Sequence, residues 1–412
     1  MALNSGNNND NNGNIQKKSN GNEIYSYSDH RLNTKSYVYE SSNPKTSENN
    51  NKKNKKMVVR KIVAVLCVLA VLVGVVVTVS FYSIPTEKDQ PTNAEQSKTS
   101  EPVISPVMPP EPIQPKKPIY SATGEFKTNL KKLPSDVIKD LDQNVTAEFI
   151  VLYDLSTDEI LYQRNATKKC YPASTTKILT AIVSSAIIDP DTKITVGKEI
   201  NLIGLDSSTA GLQVGDTLTF EALMDALLLP SGNDAAYTIA VNAARIYEDN
   251  DKLSDEEAVS IFMDLVNDAA KQIGASQTHF VTPDGWHDDD HYTSAKDLAK
   301  IAAYARTIPL VKNSVKKAYA EWELASGETV AWYNSNQLLL GGSGLYSEYV
   351  DGVKTGFTDQ AGTSVVASAT MDGHTMIAVV MSGETLYKKY DDANRLFKAG
   401  FDLYDLNYTY GG

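Results

Sequence analysis

The stretch 363-TSVVASATMDGHTMIAVVMSG-383 decides the fold. Two runs rich in β-branched residues flank Asp372-Gly373, a dipeptide suited to a two-residue hairpin turn. A second pair of runs, 147-AEFIVLYDLSTDEILYQRN-165, places Phe149, Val151 and Tyr153 in alternation, turns at Ser156–Asp158, and continues through Ile160 and Tyr162. It too reads as a hairpin. Between them, 220-FEALMDALLL-229, 254-SDEEAVSIFMDLVNDAAKQI-273 and 294-SAKDLAKIAAYART-307 space apolar residues three and four apart, as helices do, and 387-YKKYDDANRLFKAGFDLY-404 closes the chain the same way. Strands at both ends with helices between predict an α/β (α+β) fold: one antiparallel sheet from N- and C-terminal strands, flanked by helices, with a helical subdomain inserted.

Upstream of this part the composition changes. Residues 1–56 are rich in Asn, Ser and Lys with little aliphatic content, so they bury too little apolar surface to offset chain entropy and are expected to be a disordered tail. From Ile62 to Ile84 there is no charged side chain, and a helix of about 20 such residues spans a hydrocarbon core. Residues 57–84 are therefore expected to form an uncleaved transmembrane helix. The lead-in is too long for a signal peptide, and no small-x-small cleavage site follows. Lys52, Lys53, Lys55, Lys56, Arg60 and Lys61 crowd the N-terminal flank, which puts the tail in the cytoplasm and the remainder outside. Residues 85–118 hold nine of the sixteen prolines, a density that favours an extended spacer. Residues 119–412 form the expected extracytoplasmic domain.

Charge divides along the same line. Residues 1–61 carry a net charge of +6 and the rest −18, and so acidic an exterior part argues against nucleic acid as a partner. Cys67 lies in the apolar run and Cys170 beyond it, so the two do not pair, and the domain depends on its core.

Three short motifs carry possible chemistry. In 171-YPASTTKILTA-181, Ser174 precedes Lys177 by three residues at the start of a helix, on one face. A lysine made neutral by desolvation or a neighbouring cation is a competent base for a serine nucleophile. The spacing alone is weak, since it recurs at Ser42/Lys45 and Ser314/Lys317. In 227-LLLPSGNDAAY-237, Ser231 and Asn233 fall in a turn between two helices, where they either face a cleft or cap the second helix. In 351-DGVKTGFTD-359, Lys354 and Thr355 offer a cation and a hydroxyl on a strand for a substrate carboxylate, and Gly356 lets a substrate backbone come close. The plain alternative is a polar turn.

Taken in order, at intervals of 57 and 123 residues, the motifs resemble those of the penicillin-recognising serine enzymes. The blocks 210-AGLQVGDTLTFEALMDALLLPSGNDAA-236, 291-HYTSAKDLAKIA-302 and 350-VDGVKTGFTDQAGTSVVASATMDG-373 narrow the resemblance to the low-molecular-mass D-alanyl-D-alanine carboxypeptidases, over roughly residues 140–402. The resemblance implies a beta-lactamase/transpeptidase-like fold and no cofactor or metal. Its substrates would be peptidoglycan stem peptides, with β-lactams as mimics. It further implies Ser174 as nucleophile, Lys177 as its base, Ser231 as proton relay and Asn233 as a positioning group. Lys354 and Thr355 would bind the carboxylate, with Lys354 also repelling a proton from Lys177. Gly356 and Phe357 complete the substrate strand, with the N–H groups of Ser174 and Phe357 as the oxyanion hole. Where relatives often place an arginine near the last helix, this chain has Lys389.

Three rivals share some of these features. A β-lactamase would need a deacylating glutamate for which no matching block is present, and Gly232 stands where class A enzymes carry aspartate. A membrane-bound β-lactam sensor would need a cytoplasmic effector, which the tail does not resemble. A zinc enzyme built on 284-DGWHDDDHYTS-294, with His287 and His291, lacks an evident third ligand.

Overall fold

The computed structural model describes residues 117–411. The tail, the apolar run Ile62–Ile84 and nearly all of the proline-rich spacer lie outside them. Among the described residues no helix is long and apolar enough to cross a membrane.

In chain order, β1 (Lys127–Thr128) precedes α1 (Ser135–Asn144) and the hairpin of β2 (Phe149–Asp154) and β3 (Glu159–Arg164). Helix α2 (Lys177–Ser185) follows, then the ribbon of β4 (Lys193–Thr195) and β5 (Thr217–Thr219). Next come α3 (Phe220–Leu228), α4 (Asn233–Tyr247), α5 (Asp255–Ile273), α6 (Ala295–Ala305) and α7 (Pro309–Val315). A second ribbon, β6 (Tyr319–Glu323) and β7 (Thr329–Tyr333), leads to β8 (Val350–Thr358), β9 (Gly362–Met371), β10 (His374–Gly383) and the last helix, α8 (Lys388–Asp402).

The main sheet has the order β1-β3-β2-β10-β9-β8, so the two terminal hairpins meet at its centre, where Val151 opposes Val379. Asp372 and Gly373 both take positive φ, 46° and 84°, as the tight turn predicted between β9 and β10 requires. One expectation needs correcting. The sheet is antiparallel in four of its five pairings, but β1 joins β3 in parallel, with Lys127 opposite Glu159. Sequence gave no sign of so short a strand. Its place follows from Phe126, which stacks on Tyr153 at 3.9 Å, with α1 serving as part of the crossover that a parallel pair needs.

The hairpin alternation also carries a further meaning. Val151 and Tyr153 face one core with α2 and α6, while Ile150 and Leu152 face another with α1 and α8. Helices on both faces leave β2 buried along its whole length, so its polar–apolar alternation is only partial. The four helices quoted above all form. The longest, α5, starts at a capping box in which Ser254 and Glu257 bond each other's backbone N–H, and it stops at Gly274 with φ +90°.

Two consequences position the site. Helix α2 is buried from Lys177 to Ser184, which places its first residue inside the protein. Strand β8 is an edge of the sheet, so one side of its backbone is unpaired.

Candidate active site

Ser174 lies in a 3₁₀ turn, Ala173–Thr176, that runs directly into α2. The turn is folded by Thr175, whose N–H and hydroxyl both bond the Pro172 carbonyl, at 3.2 and 2.7 Å. Ala173 is left-handed, φ +49°, a conformation that costs an alanine energy and persists only when its surroundings hold it. The result is a half-buried serine one turn from the first residue of α2. Its Oγ accepts a hydrogen bond from Lys177 Nζ at 3.0 Å.

Lys177 has no exposure to solvent. Its other two donors reach Asn233 Oδ1 at 2.7 Å and the Asp284 carbonyl at 2.8 Å, which saturates the amine. Burial lowers its pKa to about 8, against the pull of the Asp284 and Asp234 carboxylates. Desolvation is therefore the main reason Lys177 is a weak base, in place of the expected repulsion from Lys354. That repulsion falls on Lys354, which is buried, close to Lys177 and Lys389, and held well below the ordinary lysine range, first by desolvation and then by the two like charges.

The second motif joins through Asn233, the first residue of α4. Neither motif side chain caps the helix: the N-cap is Gly232, with no side-chain cap bond, and Asn233 Oδ1 is taken by Lys177. Ser231 precedes it in a left-handed conformation, φ +66°, almost wholly buried. Gly232 has no room for a side chain. A Cβ there would stand 2.7 Å from the Ala226 carbonyl oxygen and 2.9 Å from Ala210 Cβ. Asp234 ties the turn down by accepting from the Ala210 and Leu212 N–H groups at 2.8 and 3.0 Å.

Strand β8 brings the third motif. Lys354 Nζ donates to the Thr355 carbonyl at 3.2 Å. The Thr355 hydroxyl pairs with Ser335 Oγ at 2.8 Å, and Phe357 is 55% exposed. Gly356 packs against the serine turn. A Cβ there would sit 2.9 Å from the Pro172 carbonyl oxygen and 3.3 Å from Ala173 Cβ, so the missing side chain makes room for the serine turn itself. Ser174, Lys177 and Asn233 are thus linked by hydrogen bonds, Gly356 abuts their turn, and the charge of Lys177 bears on Lys354. Lys389, on α8, is buried and lowered to about 8 by desolvation, with Nζ 4.9 Å from the Tyr390 ring centroid.

Sequence reasoning missed the loop that grips this turn from the other side. Pro283 accepts from the Thr180 hydroxyl at 2.6 Å and Asp284 from Lys177. Gly285, φ +86°, lies so close that a Cβ would fall 1.9 Å from the Ala173 carbonyl oxygen. Its partner in the serine turn is over 100 residues away in the chain. The zinc reading of the same loop fails on geometry. His291 is buried and its Nδ1 accepts from the Val281 and Thr282 N–H groups, so that lone pair is engaged. Among the described residues no three metal-ligating side chains converge. Cys170 is buried, with its thiol pushed up to about 12 by desolvation, and is not poised to react.

Known proteins resemble this chain in sequence and fold. The chain is 32% identical over 256 residues to a D-alanyl-D-alanine carboxypeptidase of Streptomyces sp. (strain K15), an alignment covering 60% of this chain and 84% of that one. It is 31% identical over 271 residues to DacA, the D-alanyl-D-alanine carboxypeptidase of Escherichia coli (strain K12), covering 63% of this chain but 62% of the relative. The crystal structure of the Streptomyces K15 DD-transpeptidase superposes with a TM-score of 0.57 at 29% identity, covering 63% of this chain and 98% of that one. Penicillin-binding protein D2 of Listeria monocytogenes, in its ampicillin-bound form, gives 0.50 at 27% identity, covering 62% of this chain and 97% of that one. Residues 136–385, more than half of the chain, match the family model described as D-alanyl-D-alanine carboxypeptidase, and the chain belongs to that family, peptidase S11.

Proposed function

We propose that this protein is a serine-type D-alanyl-D-alanine carboxypeptidase that removes the terminal D-Ala from peptidoglycan stem peptides through an acyl-enzyme on Ser174. The observation that carries the reading is the bond from Lys177 Nζ to Ser174 Oγ, made by a buried lysine whose pKa lies near 8. In its neutral form that amine accepts the Ser174 proton as Oγ attacks the penultimate D-Ala carbonyl. The backbone N–H groups of Ser174 and Phe357 take the oxyanion, a role supported by the close approach of Gly356 to the serine turn. Ser231 passes the proton to the departing D-Ala, and Asn233 holds Lys177 and the peptide. The edge position of β8 suits a peptide that adds to the sheet as a further strand. Its free carboxylate then meets Thr355 and Lys354, and that anion draws a proton back onto Lys354. Water completes the cycle by hydrolysing the ester. A β-lactam carries the same carboxylate and acylates the same oxygen.

The assignment of the first 118 residues belongs to this proposal: a cytoplasmic tail over 1–56, a single membrane span over 57–84 and a spacer over 85–118, holding the catalytic domain outside the cell membrane. The apolar run from Ile62 to Ile84 with its basic N-terminal flank supports it.

The test incubates the purified full-length chain with a fluorescent penicillin and with a D-Ala-D-Ala peptide. Mass spectrometry is expected to place the adduct on Ser174, and free D-Ala to accumulate. Label that persists in Ser174→Ala would refute the nucleophile. Rapid turnover of a chromogenic β-lactam with no D-Ala release would favour a β-lactamase instead.

A further inference from the structure

The loop before α6 reaches the serine turn through one side chain that the reaction above does not use. His291 is buried, stacked on Phe280 with ring centroids 4.7 Å apart. Its Nδ1 accepts from the Val281 N–H at 3.0 Å and from the Thr282 N–H at 3.3 Å. Two backbone donors on one ring nitrogen leave no place for a proton there, so the proton of the neutral ring sits on Nε2. Nε2 lies 2.8 Å from Thr176 Oγ1 and therefore donates to it. Thr176 Oγ1 in turn lies 2.8 Å from the Ala173 carbonyl and gives that oxygen its own proton. The hydroxyl accepts once and donates once, and the direction of both bonds is fixed.

This relay ends on the residue that needs it most. Ala173 is the left-handed residue immediately before Ser174, and its carbonyl oxygen also faces Gly285, where no side chain fits. Backbone bonds between Cys170 and Thr293, in both directions at 2.9 Å, fix the same loop to the chain entering the turn. The Thr176 hydroxyl is the side-chain tie on this strained peptide, and where that tie is lost the peptide relaxes and Ser174 Oγ moves with it. Burial lowers the His291 pKa to about 3, so the ring stays neutral and the relay keeps its direction across the working range.

We infer that His291 and Thr176 are positioning residues: His291 Nε2–H orients the Thr176 hydroxyl, which holds the Ala173 carbonyl and thereby aims Ser174 Oγ at the substrate and at Lys177. The inference rests on Ser174 being the nucleophile, and the experiment separates the two. Thr176→Val keeps shape and removes only the hydroxyl, Thr176→Ser restores it, and His291→Asn removes the orienting donor. Full-length variants are assayed for acylation rate by fluorescent penicillin and for kcat and KM on a D-Ala-D-Ala peptide, with thermal melting to correct for folded fraction.

Thr176→Val is expected to lower the acylation rate and kcat about 10- to 100-fold, as small displacements of a reacting group do, with KM little changed. Thr176→Ser is expected to recover most of both. His291→Asn should be impaired in the same step, and combining it with Thr176→Val should add little, because the two act in series. A Thr176→Val enzyme that melts lower but acylates at the parent rate per folded molecule would overturn the inference, as would failure of Thr176→Ser to rescue. If Ser174→Ala still takes the label, the nucleophile assignment fails and the inference, which rests on it, falls with it.

Discussion

Gly356→Ala tests the closeness of β8 to the serine turn. The backbone at Gly356 does not take a left-handed conformation, so alanine meets no conformational penalty there, and the effect is purely one of space. The added methyl would stand 2.9 Å from the Pro172 carbonyl oxygen, 3.3 Å from Ala173 Cβ and 3.3 Å from Thr175 Cγ2. The first of these contacts is backbone and cannot rotate away. The Pro172 carbonyl accepts both bonds that fold the turn, so moving it by a few tenths of an ångström carries Ser174 along. Overpacking of this kind costs about 1–3 kcal/mol, which at about 2–4 °C per kcal/mol predicts a melting point lower by several degrees. Acylation is expected to fall by more than the stability loss implies, about 10- to 100-fold per folded molecule. The assay is the rate of labelling by a fluorescent penicillin beside a thermal melt. Parent-like labelling and melting together would mean that β8 and the turn are not in this contact, and the site geometry described above would be wrong.

Three further outcomes are expected. With Lys177 near pKa 8, about a tenth of the enzyme holds a neutral base at pH 7 and about nine tenths at pH 9, so acylation should rise about tenfold between them. A rate independent of pH there would remove Lys177 as the base. The same shift has a stability consequence of definite sign. The unfolded chain binds more protons at Lys177 between pH 8 and 10.5, so this group's contribution makes the protein more stable as pH rises through that window. Denaturant midpoints in Lys177→Met, compared with the parent across it, would show whether that slope disappears. Arg306 grips Asp351 through both guanidinium nitrogens and also reaches Ser368 and Thr370. Arg306→Met should cost about 2–3 kcal/mol, the partial exposure of Asp351 being discounted. An unchanged urea midpoint would count against that pair as a brace of the β8 edge.

Much of the fold was legible because periodicity is local. The Asp-Gly turn between β9 and β10, the hairpin at 149–164 and the helices α3, α5, α6 and α8 each declare themselves within about twenty residues. The elements that were not read are short or depend on distant partners. Strand β1 has two residues and exists because Phe126 finds Tyr153. The ribbons β4–β5 and β6–β7 have few residues on which alternation can show. In the site, Ser174, Lys177 and Asn233 were readable as motif members. The distinction between Asn233 as a helix cap and as a lysine partner was not, since both roles use the same side chain at the same turn. Asp284, Gly285, Thr176 and His291 carried no such signal. Asp284, Gly285 and His291 each meet a residue more than 100 positions away, and Thr176, which holds the nearby Ala173 carbonyl, is oriented from His291, so local spacing does not say which partner each will find.

The sequence by itself determined the two central hairpins and the longer helices between them, the charge contrast between the two ends, and three motifs whose chemistry suits an acyl-transferring serine, because these follow from patterns within a few residues. Only the tertiary structure decided the surroundings of that serine. Burial of α2 desolvates Lys177, Asn233 Oδ1 and the Asp284 carbonyl accept its hydrogen bonds, and Gly285 and Gly356 admit the strained turn between them. Desolvation and close contact arise from what surrounds a residue in space, which a linear chain does not display.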